Sequence, residues 1–241
     1  CILIPYTFLL NILYDSFAAA GSRTGYLDTL FLVCNVITFI TSAFSTYSIL
    51  FSGRDREILT PLPIKKQYIF LTNYITLYAS AFASALGFLL PGLLIYEMKT
   101  GFSLMTVVKA LIGSIAFPAL PLAAAFLLMS AVLAAASGFR HKELLATIFG
   151  VVLVGGCVFL NGNQEFLIRF VETGAGSVSK AGRIFVNAFF LREALLYRGG
   201  RAWLFVFLCI AAAAVLICLT ALYGGAVYDR ILQRMSASVA A

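Results

Sequence analysis

Apolar residues in this chain come in unbroken blocks rather than in the alternation of a strand or the one-sided stripe of a soluble helix. The blocks cover residues 2–13, 26–51, 68–96, 107–136, 144–160 and 202–223. A bilayer core of roughly 30 Å takes about 20 apolar residues in helical form, and only helices or closed barrels satisfy the backbone there. These blocks are far too long for barrel strands. They predict an all-α integral membrane fold of six transmembrane helices in a single domain over residues 1–241. The first block is shorter than a bilayer needs, so the helix is expected to be incomplete at its start. A lipid-bearing Cys1 would lead into a polar tether, whereas Ile2, Leu3 and Ile4 follow it directly.

Composition agrees with the pattern. The chain is 62% hydrophobic and 11% charged, against roughly a quarter charged residues in soluble domains. Cys34, Cys157, Cys209 and Cys218 lie inside apolar blocks without CxxC spacing and read as small packing residues. The net charge of +7 matters through its placement, because basic loops mark the cytoplasmic side. Arg54, Arg56, Lys65 and Lys66 outweigh Asp55 and Glu57 in residues 53–67, and Arg140 and Lys142 outweigh Glu143 in residues 138–143. Both loops are therefore expected inside. The basic stretch 161–201 then falls outside, a position tolerated because the positive-inside rule weakens for long loops. Within it, residues 185–196 are apolar and aromatic with one Arg–Glu pair, the pattern of a helix lying in the membrane interface. A five-span arrangement with residues 144–160 re-entrant is the alternative.

Candidate chemistry is sparse. His141 is the only histidine, which excludes a site built on several imidazoles and leaves a serine–histidine enzyme little to work with. The stretch TGAGSVSKAG at residues 173–182 matches neither nucleotide-binding glycine motif and follows no strand. No acidic residue lies near the centre of a span, so an ion relay through the membrane is not indicated, and Lys109 sits near a span end where it can snorkel to the interface. Two polar stripes stand out: Asn35, Thr38, Ser42 and Ser45 in the second span, and Thr72, Thr76, Ser80 and Ser84 in the third. Hydroxyl and small residues let membrane helices pack closely; the sharper reading is that the stripes face a substrate path or a partner half. Pro91, Pro118 and Pro121 mark kinks.

The segment GRDREILTPLPIKKQ at residues 53–67 carries most of the remaining information. Asp55 favours a helix start, Ile58 and Leu59 give it an apolar edge, and Pro61 and Pro63 end it, which predicts a short amphipathic helix at the cytoplasmic surface. Preceded by Phe51 and Ser52 and followed by LLPGLLIYE at residues 89–97, this segment resembles the membrane subunits of ABC exporters, in particular permeases of the ABC transporter type 2 class. In that class a cytoplasmic E-x-L-x-x-L-P element precedes the third span, matched here by Glu57, Leu59, Leu62 and Pro63. The resemblance implies a coupling helix around Arg54, Asp55, Arg56, Glu57, Leu59, Leu62 and Pro63 that docks on a nucleotide-binding ATPase subunit. It further implies six spans with an external helix before the last one, no cofactor, no catalysis by this chain, and a multi-pass place in a bacterial plasma membrane. The partners so implied are the ATPase subunit, membrane lipids and a second permease half or a homodimer, with no nucleic acid; residues 228–241 would lead into such a second half. A non-transporting scaffold or sensor, or an intramembrane enzyme using His141, are the readings from other classes.

Overall fold

The computed structural model describes residues 3–19, 23–51, 66–136, 185–197 and 199–237. They form α1 (Leu3–Ala19), α2 (Arg23–Thr46), a π-helical turn (Tyr47–Phe51), α3 (Lys66–Thr100), α4 (Leu104–Ala116), α5 (Ala119–Ala136), α6 (Val186–Leu196) and α7 (Gly200–Ala237). Among the described residues four stretches are long and apolar enough to cross a membrane: Thr24–Leu50, Gln67–Thr100, Leu104–Val132 and Gly200–Ala226. Unbroken apolarity forces this outcome, since a buried or lipid-exposed backbone without water must bond within its own helix. Four of the six expected spans are thus seen as helical stretches of spanning length. The first block is helical through Ala19, further than its apolar residues suggest. The fifth, at 144–160, lies outside the described residues, as does the expected coupling helix at 54–63.

Proline and glycine set the breaks. Pro118 lies between α4 and α5 and Pro121 in the first turn of α5, and neither can donate the N–H that would join the two helices; Phe117 N bonds back to Ser114 O at 3.3 Å in a tighter turn. Pro91 stays inside α3, where the Tyr6 hydroxyl donates to Phe88 O at 2.9 Å and the Tyr26 hydroxyl to Gly92 O at 3.0 Å on either side of it. Between α3 and α4 the chain reverses through Gly101, whose φ of +106° disfavours residues bearing a Cβ. The Glu97 carboxylate accepts from Ser103 N there at 3.2 Å, holding the start of α4.

The chain divides into two compact units. The first contains α1, α2 through Thr38, α3 from Phe82, α4 through Pro118, α6, and α7 through Ala214. Its core packs Tyr14, Leu27, Phe31, Leu89, Phe117 and Leu191. The second contains the remainder of α2 with the π-helical turn, α3 through Ala81, α5, and α7 from Val215. There Leu50, Phe70, Tyr74, Leu77, Leu122 and Phe126 form one cluster, and the Thr220 hydroxyl bonds the Tyr74 hydroxyl at 2.7 Å.

Candidate functional site

The first unit holds a buried polar network assembled on α6. Three contacts fix that helix antiparallel to α4: Asn187 meets Phe117, Leu191 meets Gly113, and Ala194 and Tyr197 meet Lys109. Gly113 permits the approach, since a Cβ there would overlap the Leu191 side chain. Such close packing suits membrane helices, whose association relies on fit rather than on expelling water.

At the far end of α6 the Lys109 ammonium donates to Ala194 O at 3.0 Å and to Tyr197 O at 3.2 Å. These are last-turn carbonyls without a helical donor of their own, and a cation there also meets the negative end of the helix dipole. Lys109 is only 4% exposed. It caps the neighbouring helix. The reason is tertiary: packing of α6 on α4 brings the Ala194 and Tyr197 carbonyls within hydrogen-bonding reach of the Lys109 ammonium.

One turn back, Arg192 links α6 to α2. Its Nη1 donates to both oxygens of Asp28, at 3.1 and 3.2 Å. Its Nε reaches Glu193 Oε1 at 3.1 Å, and its Nη2 bonds the same oxygen. The guanidinium also stands 5.8 Å from the Phe189 ring centroid. Burial works against the charge on Arg192, but the Glu193 and Asp28 carboxylates outweigh it and raise its pKa above the ordinary arginine value. The two cations, Arg192 and Lys109, and the two anions, Asp28 and Glu193, sum to zero charge along α6. That neutrality is what a low-dielectric interior requires.

At the N-terminal end Asn187 Nδ2 donates to Asn35 Oδ1 and to Phe117 O, both at 2.8 Å, while its Oδ1 accepts from Ala188 N at 2.9 Å. Asn35 Nδ2 in turn bonds Phe31 O at 2.9 Å. The helix expected at the interface thus exists, but its Asn187, Leu191, Arg192, Ala194 and Leu195 are buried against other helices. Its polar residues find partners inside the unit.

The two stripes separate. Asn35, Thr38 and Ser42 are buried and Ser45 is half-buried, so the second-span stripe faces protein. Ser42 and Thr46, both buried in the second unit, reach no hydrogen-bond partner among the described residues. Thr72, Thr76 and Ser80 are exposed and Ser84 is half-buried. Thr72 and Thr76 satisfy themselves by donating to Tyr68 O and Thr72 O, at 3.0 and 3.1 Å. Asn35 enters the α6 network through its bond with Asn187. No family model, curated protein or solved structure matches this chain.

The sequence shows Lys109 and the Arg192–Glu193 pair but not the partners that join them, with Asp28 and Asn187, into one network. Their signal is the presence of single polar or charged residues inside apolar stretches, where solitary burial is unfavourable enough to imply a partner. Chemically the arrangement binds helices. It pairs every acid it contains with a donor and presents no nucleophile next to a base. Among the described residues no group of three or more His, Cys, Asp or Glu side chains is placed to hold a metal ion.

Proposed function

We propose that this chain is the membrane-spanning subunit of an ATP-driven ABC exporter, a multi-pass cell-membrane permease that moves its substrate by alternating access. The observation that carries the reading is the acid- and proline-containing segment 53–67, with Glu57, Leu59, Leu62 and Pro63 in the spacing of a coupling helix. It joins α2 and α3, two of the helices long enough to cross a membrane, so a push on it would reach both directly. An ordinary positive-inside loop needs basic residues but neither the paired acids nor the two prolines. The engagement of Asp28, Arg192, Glu193 and Lys109 in protein contacts also favours an external energy source over an ion relay built on these residues. Hydrolysis of ATP would reside in a separate nucleotide-binding subunit, and the permease would pair with a second half or a second copy. Six spans, with residues 144–160 as the fifth, belong to this proposal.

Purification in mild detergent from native membranes tests it. A nucleotide-binding subunit with ATPase activity is expected to accompany the tagged chain and to fall by at least about tenfold in the Arg56→Glu, Glu57→Lys variant, the scale of losing an interface anchor. No ATPase with either form would replace this proposal by a non-transporting scaffold, the role for which a saturated, helix-binding network would suffice.

A further inference from the structure

Asn187 supplies the hydrogen-bond donor that Pro121 withholds. In an uninterrupted α-helix the carbonyl of residue 117 accepts the N–H of residue 121, and proline has no such group. Phe117 keeps right-handed helical backbone angles, φ −58° and ψ −45°, so its carbonyl still points toward position 121. Phe117 is fully buried, and a buried carbonyl without a partner is unfavourable. The Asn187 amide, 2.8 Å away, takes the place of the missing N–H. Its second hydrogen goes to Asn35, and its oxygen to Ala188 N, so the side chain has nothing left to offer elsewhere.

From this exchange of donors we infer that α6 is a strap coupled to the α4–α5 break. While Asn187 is docked, the Phe117 carbonyl at the break has a donor. A shift of α6 along α4 strips Phe117 O of its donor. Lys109 at the other end of α6 opposes the same sliding motion, because the register that satisfies Ala194 O and Tyr197 O is the one that places Asn187. Two segments 70 positions apart in the chain therefore open as one event. The inference needs no transport activity and stands independently of the exporter reading.

Hydrogen–deuterium exchange on the detergent-solubilised full chain tests the coupling. In Asn187→Leu, exchange at residues 117–122 and 186–190 is expected to rise together, by about 10- to 100-fold, the range set by one buried group left without its partner. Adding Pro121→Ala restores an N–H at the break. In the double variant residues 117–122 regain protection while 186–190 remain fast. Asn35→Ala leaves the bond to Phe117 O in place, so it should leave 117–122 protected. Unchanged exchange at 117–122 in Asn187→Leu, or no recovery in the double variant, overturns the proposal. If Asn187→Leu does not accumulate, recovery of folded protein by Pro121→Ala supports the coupling and failure to recover overturns it.

Discussion

Removing the Asp28 carboxylate would leave the Arg192 guanidinium buried beside Glu193 alone, with its link to α2 gone. Breaking a buried pair from one side costs about 3–5 kcal/mol where it leaves a lone charge; with Glu193 still bonded to Arg192 the loss lies toward the lower end. Asp28→Ala and Arg192→Met are each expected to lower the thermal midpoint in detergent strongly. The double variant should cost less than the sum of the singles by about 1–3 kcal/mol, the coupling typical of residues in direct contact. Additive losses would show that the pair holds nothing together. Since the Glu193 and Asp28 carboxylates raise the Arg192 pKa, the arginine keeps its proton through neutral pH and loses it only above its ordinary range, while the carboxylates stay ionised through neutral pH. The coupling measured from the arginine side should therefore stay constant across neutral pH. The sequence reveals Asp28 and Arg192 as charges in apolar surroundings, yet they stand 164 positions apart, and no spacing rule joins residues at that distance.

At the scale of elements, glycines record which helices touch. A Cβ at Gly113 would press on the end of the Leu191 side chain, while a Cβ at Gly224 would enter the Phe70 ring, contacting three of its atoms. Replacing a helical glycine by alanine gains up to about 1 kcal/mol of helix propensity. Leu191 is as buried as Phe70, but at Gly113 the added Cβ overlaps one methyl carbon only, so Gly113→Ala should lose less than Gly224→Ala. The ring of Phe70 is buried and cannot yield without moving its neighbours, so Gly224→Ala should lose about 1–3 kcal/mol through overpacking. Thermal midpoints of the two variants, compared with the unaltered chain, decide this; equal effects would mean the two neighbours are equally compliant. The long helices were legible because their apolarity is continuous and requires no knowledge of partners. The burial of α6 was not, because residues 186–196 mix apolar side chains with Arg192 and Glu193, a pattern that suits a headgroup region as well as a protein interior.

For the whole molecule, four apolar helices of spanning length predict that the chain stays with the membrane pellet through alkaline carbonate extraction. Release into the supernatant would argue against membrane integration. Each compact unit draws on several separated stretches of sequence, so neither can be cut out as a continuous piece. The sequence by itself determined the all-helical, membrane-suited character of the chain, the positions of the proline breaks, and the isolation of the charged segment 53–67 between two apolar helices. These follow from local rules: backbone groups without water must bond within a helix, and proline has no N–H to give. Only the tertiary structure decided that Lys109 caps α6, that Arg192 bridges to Asp28, and that Asn187 repairs the break made by Pro121. Those outcomes depend on which unsatisfied group meets which donor once distant helices pack, and in a medium without water the nearest complementary partner wins.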